Sequence, residues 1–324
     1  VTMARWSTGG HNLSIVKFLI SVLICVILFI PTSSALIVDA SEKWNETYLV
    51  EGGRSLLVEE LSATWCESCA EIDPYLMEVA DSHGSRIAMV TYHPSDGVDA
   101  FQPLAAKHRI ERLSITHPGI GSTPTFIVDG GQQRIGPQSW PDVQKDILSK
   151  EVTNLKPSRL SFEISKNNNE TFTASIKSFS DYDNGVNKSQ LTFMLVKHSL
   201  AVPEEFDNPG GKYRDRVVHG LVECNLQNNS ITYSSGFLYS NIDDNSCQSG
   251  FSVTSELEDE FSVLLLHEKV YQNLSSEEPS STYGVVEFAF RNLESDESWD
   301  NLLIILIGFT TIGFLWIYYE KKNK

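Results

Sequence analysis

Arg54-Ser-Leu-Leu-Val-Glu-Glu-Leu-Ser62, followed after two residues by Trp65-Cys66-Glu67-Ser68-Cys69, decides how this chain is read. The first segment is a short apolar run broken only by Glu59 and Glu60, which reads as a buried strand. The pattern from Cys66 to Asp81 reads as a helix. A helix N-terminus offers unpaired N–H groups and a partial positive charge, so a thiolate placed there is stabilised. Two intervening residues let the second sulfur reach the first as one helical turn closes. Cys66 is thereby the expected exposed attacker, and Cys69 the more buried thiol that resolves a mixed disulfide. Half of a zinc site has the same spacing, but no second cysteine pair stands at knuckle spacing.

Outward from this pair the chain alternates strand and helix. Arg86 to Tyr92 reads as a second strand, and the stretch around Ala100 to Arg112 as a helix. Thr125 to Asp129 is a further strand; Gly130-Gly131 turns it into Gln132 to Ile135, and Trp140 to Lys150 closes with a helix. Such alternation predicts an α/β sandwich.

Ser122-Thr123-Pro124-Thr125, set directly before the apolar Phe126-Ile-Val128, together with the Trp65-Cys66-x-x-Cys69 motif, resembles the thioredoxin superfamily over about residues 45 to 150. The resemblance implies that Pro124 is the cis proline facing the cysteines, that Thr123 pairs with an incoming peptide, and that Trp65 flanks the same site. It also implies that Glu60, six positions before Cys66, is the buried acid that takes and returns the proton of Cys69. Burial would raise the pKa of such a carboxyl and suit it to a general base. Strand alternation leaves Glu59 as the exposed neighbour, and a one-residue shift of register would exchange the two. The chain departs from the family in its Glu-Ser interior and in the long separation between Cys69 and Pro124, where an inserted helix fits. Glu67 and Glu71 oppose ionisation of Cys66, which favours a reductase or isomerase over a strong oxidant.

Beyond Lys156-Pro157 the character changes. Leu160–Ile164, Thr171–Phe179, Leu191–Leu200, Val217–Cys224, Ile231–Tyr239, Glu260–Val270 and Gly284–Phe290 are short alternating runs separated by polar turns. They predict an antiparallel β-sandwich. Cys224 and Cys247 enclose a loop there and form a structural disulfide in an oxidising compartment; a second redox pair exchanging with Cys66 is the alternative. A thioredoxin-like module followed by a sandwich resembles Omp28-type proteins, with Tyr213-Arg-Asp-Arg-Val-Val-His219 faintly similar to a strand there. The basic run itself reads as a half-exposed strand.

Two apolar runs stand outside the soluble pattern. Ile15 to Pro31 follows Arg5 and Lys17 and ends in small residues, as a secretory signal peptide does; a retained anchor is the alternative. Leu302 to Tyr319 is uncharged and as a helix spans about 27 Å, near the hydrocarbon thickness of a bilayer. The lysines after it predict a cytoplasmic tail, with the rest of the chain on the other side. The organisation read from the sequence is thus 1–35 signal or anchor, 36–156 thioredoxin-like domain, 157–292 sandwich, 293–301 acidic stalk, 302–319 transmembrane helix and 320–324 tail. Lys321-Lys322-Asn323-Lys324 also matches a dilysine retrieval signal, which would place the chain in the endoplasmic reticulum membrane.

The net charge of −17, spread over many segments, argues against a nucleic-acid partner, whose phosphates require clustered Lys and Arg. The expected partners are exported proteins bearing thiols or disulfides, a separate electron-transfer protein that resets the pair, and the bilayer. No cofactor is implied. His93, His108 and His117 fall in or near the insertion, and two thiolates with a histidine would suit Cu(I); solvated loop histidines are the simpler reading, and no metal site is expected.

Overall fold

The computed structural model describes residues 35–41, 44, 47–153, 158–167, 170–181, 188–275 and 282–292. The apolar runs at 15–31 and 302–319, the stalk and the tail lie outside them. Among the described residues no helix is long and apolar enough to cross a membrane.

The chain is mixed α/β. Strands β1 (Ala35–Asp39) and β2 (Tyr48–Gly52) come first, followed by β3 (Leu56–Leu61), helix α1 (Glu67–His83) and β4 (Ile87–Tyr92). Helix α2 (Leu104–Thr116), β5 (Thr125–Val128), β6 (Arg134–Ile135) and α3 (Trp140–Thr153) complete the helix-bearing unit. The β-rich unit comprises β7 (Ser158–Lys166), β8 (Thr171–Asp181), β9 (Ser189–Lys197), β10 (Leu200–Ala201), β11 (Tyr213–Arg214) and β12 (Val217–Asn225). It ends with β13 (Ser230–Ser235), β14 (Tyr239–Ile242), β15 (Phe251–Glu256), β16 (Phe261–Lys269) and β17 (Gly284–Arg291).

One sheet runs through both units in the order β1-β17-β16-β9-β12-β4-β3-β5-β6, with β13 on the side of β12; a second sheet has the order β14-β15-β8-β7-β2. The two sheets enclose an aromatic core containing Phe162, Phe172, Phe193, Phe251, Phe261 and Phe288. The expected boundary at 156/157 does not separate two sheets. β1 pairs in parallel with β17, β2 pairs with β7, and β4 meets β12 at Thr91 and Val217. The run expected from Ile231 to Tyr239 is split into β13 and β14 at Gly236, whose φ of 73° lets the chain pass against the His219 carbonyl, where a Cβ would stand only 2.1 Å away.

β3 carries helices on both faces. Leu56 and Val58 pack with Ile72 and Leu76 of α1 and Val143 and Ile147 of α3, whereas Leu57 and Leu61 pack with Ala105, Ala106 and Leu113 of α2. Glu59 is therefore not the exposed neighbour expected from alternation. It is as buried as Glu60, on the α2 face. Its Oε1 accepts from Arg109 Nε at 2.8 Å and from the Tyr92 hydroxyl at 2.9 Å. Arg109 Nη1 also donates to Glu268 Oε2 of β16 at 2.7 Å, so one buried guanidinium ties the two units together.

Burial alone would raise the pKa of Glu268, but Arg109 and Arg112 outweigh it and hold the carboxyl at about 2. A lowered folded pKa contributes stability that is present above the usual carboxylate range and lost as pH falls toward 2. Glu268→Gln leaves Arg109 under-compensated in the interior. It should cost about 3–5 kcal/mol in chemical denaturation at pH 7. The deficit relative to wild type should shrink as pH falls below about 4.

Cys224 and Cys247 are disulfide-bonded and fully buried. Replacing both by alanine should lower stability by about 3 kcal/mol, read from the same denaturation curves under non-reducing conditions.

Candidate thiol–disulfide site

Cys66 is the N-cap of α1, and its Sγ accepts the Cys69 N–H at 3.1 Å. The two cysteines are joined as a disulfide. Ser68 Oγ lies 3.5 Å from Cys66 Sγ. On reduction the helix N-terminus and these donors face the sulfur that must carry negative charge. Cys66 is 4% exposed and Cys69 is not exposed, so both are buried and Cys66 is not the exposed sulfur expected. Trp65 packs against the pair and donates from Nε1 to Asp96 Oδ2 at 2.9 Å, which fixes its ring.

The loop leading into Cys66 is held from the insertion. Asp99 is buried; its Oδ2 accepts the Thr64 N–H and contacts His93 Nδ1, each at 2.8 Å. The Thr64 hydroxyl in turn accepts the Ala100 N–H. The three histidines are not solvated loop residues. His93 is fully buried, His117 is nearly so, and His108 stacks on Tyr233 with ring centroids 3.7 Å apart. Each occupies a place created by packing between elements distant in the chain. No group of three His, Cys, Asp or Glu side chains able to hold a metal occurs among the described residues.

The Thr123–Pro124 peptide bond is cis. Thr125 pairs with Leu61 in the β3–β5 ladder, which sets Thr123 and Pro124 at the same sheet end as the loop from Ser62 to Cys66. Pro124 is buried and Thr123 half-buried, leaving the Thr123 side of the bond nearer the surface.

Glu60 is buried on the α1 face of β3, and its Oε2 accepts from Thr91 Oγ1 at 3.2 Å. It lines a cavity of about 190 Å³ with Asp73 and His93 of the helix-bearing unit and Tyr213, Arg214 and Asp215 of the β-rich unit. Neither Asp73 nor Arg214 was singled out by sequence reasoning. Asp73 stands four residues after Cys69, on the same helical face, and that spacing was a signal available in the sequence. Arg214 carried none beyond its basic run. In that run Tyr213 is exposed and Asp215 and His219 are half-buried, whereas Arg214 and Arg216 are buried against Asp73 and Asp81, at 3.6 Å and 3.0 Å.

Burial, and then the charge of Asp73, pushes Glu60 well above the usual carboxylate range. Burial also raises Asp73 to about 6, against the opposing charges of Arg214 and His93. Asp215 is held low: burial would raise it, but the hydrogen bond and charge of His198 prevail. The chain Asp215–His198–Ser262 has spacings of 2.7 and 2.9 Å, yet Ser262 is fully buried and offers no nucleophile to a substrate.

Comparison with known proteins adds the following. No family model matches the chain. The chain is 28% identical over 127 residues to thioredoxin H2-1 of Oryza sativa subsp. japonica, a match spanning 39% of this chain and 80% of that protein. This match and the Cys66–Cys69 pair fit a thioredoxin-like relationship. Among solved structures, HBP35 of Porphyromonas gingivalis aligns with 76% of this chain and 78% of its own at 19% identity, with a TM-score of 0.48. The Agrobacterium tumefaciens protein AGR_C_4864 aligns with 74% of this chain and 96% of its own at 13% identity, with a TM-score of 0.46.

A carboxyl whose folded pKa is raised binds its proton more tightly folded than unfolded, so its contribution falls as pH rises through that interval. Glu60→Gln removes this slope. The variant should gain stability relative to wild type between pH 5 and pH 8 in chemical denaturation, and a relative loss over that range would contradict the burial argument.

Proposed function

We propose that this chain is a membrane-anchored, extracytoplasmic thiol–disulfide oxidoreductase that acts on thiols or disulfides of exported proteins. The observation that carries the reading is Cys66 as N-cap of α1, bonded to Cys69, at the sheet end that also presents the cis Thr123–Pro124 bond. The similarity to a thioredoxin supports the redox class.

In the reducing direction, the Cys66 thiolate attacks a client disulfide. A Cys66–client bond forms, and the client's other sulfur leaves and takes up a proton. Cys69 then loses its proton and attacks Cys66; the Cys66–Cys69 bond forms and the second client sulfur departs as a thiolate. Trp65, Thr123 and Pro124 surround the approach, and Glu60 serves the proton of Cys69. A separate electron-transfer partner restores the dithiol. Glu67 and Glu71, both exposed beside the pair, favour the reductase or isomerase direction. The anchor is the 302–319 run, with the signal-like 15–31 run directing export.

The small exposure of Cys66 favours a second reading, in which the disulfide is structural and the chain is a binding module. Insulin-disulfide reduction separates the two. The full chain should turn over, Cys66→Ser should abolish activity, and Cys69→Ser should accumulate a mixed disulfide through Cys66. Inactivity of the wild-type chain with every thiol donor tried would favour the binding module.

A further inference from the structure

Glu60 presents a difficulty for the reading just given. Burial pushes Glu60 well above the usual carboxylate range, and while it holds a proton it cannot accept another from Cys69. The proton on Glu60 needs somewhere to go before that of Cys69 can arrive.

The cavity beside Glu60 supplies the place. Three buried polar atoms on its wall, Ser62 Oγ, His93 Nε2 and Arg214 Nε, have no hydrogen-bonding partner among the described residues, and the carboxyls of Glu60 and Asp73 share a hydrogen bond there. Glu60 is 1% exposed, whereas the side chain of Asp73 is 22% exposed, so Asp73 bridges the interior and the solvent. Asp73 follows Cys69 by one helical turn. Its partner Arg214 comes from β11, more than a hundred residues later, and lies 3.6 Å from Oδ2. Arg214 is itself fixed: Nη2 donates to Asn208 Oδ1 at 2.6 Å and to the Thr64 carbonyl at 3.3 Å, within the loop that leads to Cys66. Gly210 closes over the same place, because a Cβ there would stand 2.8 Å from both the Ala70 Cβ and Arg214 Nη2.

We propose that Asp73, held by Arg214 of the β-rich unit, is a positioning residue that relieves Glu60 of its proton, so that the β-rich unit governs the resolving half of the exchange. The proposal rests on the thiol-exchange reading above. As Cys69 gives its proton to Glu60, Glu60 passes its own to Asp73, and Asp73 releases one proton to the cavity and solvent. The Cys69 thiolate attacks Cys66, and the client sulfur leaves with the electron pair of the broken bond. The titratable groups that line the cavity with Asp73 are Glu60 from β3, His93 after β4, and Tyr213, Arg214 and Asp215 around β11. The relay requires Asp73 to be ionised, which it is above about pH 6.

The test uses the reduced full chain and an aromatic disulfide whose thiolate absorbs visibly. The first thiolate released reports attack by Cys66, and the second reports resolution by Cys69. In wild type the second release should fall away below about pH 6. In Asp73→Asn the first release should be unchanged; the second should be about tenfold slower at pH 7 and should lose the acid limb near pH 6. Arg214→Gln should move the acid limb of the second release upward by about one pH unit, and Arg214→Lys should restore it. These variants keep the experiment decisive if Asp73→Asn does not fold. Second-release profiles of Asp73→Asn or Arg214→Gln that superimpose on wild type overturn the relay alone. Failure of the wild-type chain to release a second thiolate at any pH overturns the thiol exchange on which the relay rests.

Discussion

The Thr91 N–H donates to the Arg216 carbonyl at 2.8 Å, and this backbone bond is the point where the sheets of the two units become one. Next to it, Thr91 pairs with Val217, and the Thr91 hydroxyl reaches Glu60. The junction therefore borders the buried acid, and the residues just before β12 arrive with it. Arg214 and Asp215 owe their places on the cavity wall to this seam. Arg216 takes a left-handed conformation there, with φ of 58°, which turns the chain from β11 into β12.

A seam of this kind needs charges that are matched once they leave water, because an unpaired charge in the interior is strongly destabilising. Two clusters meet that requirement differently. On the α2 face, Arg109 and Arg112 lie between Glu59, Glu223 and Glu268, and Glu268 stays ionised. On the α1 face, two carboxyls share one arginine, and burial pushes Glu60 well above the usual carboxylate range instead. The first arrangement is rigid and serves to lock the units together. The second can change its protonation at ordinary pH, and it adjoins the helix that begins at Cys66.

The chemistry read for Cys66 and Cys69 depends on local geometry that any helix N-terminus would supply. The proton balance depends on the rest of the molecule. Asp73 and Arg214 come from opposite sides of the seam, and the loop that carries Gly210 and Gly211 borders the cavity between them. In the reading proposed above, electron transfer is a property of one unit, and proton transfer a property of both.

Much of the helix-bearing unit was legible because its signals are local. The apolar run of β3, the periodicity of α1 and the Gly130-Gly131 turn each state their structure within about a dozen residues. β1, β2 and β15 were not recognised, since each is short and acquires its meaning from a distant partner: β17, β7 and β8. Alternation made Glu59 exposed, a reading that fails once helices cover both faces of the strand. The sequence by itself determined the cysteine pair and its helix, because those follow from spacing along one stretch of backbone, while Glu60 rested on resemblance. Only the tertiary structure decided that Arg214 stands beside Asp73 and that one sheet joins both units, because strand pairing and charge burial unite residues that are far apart in the chain.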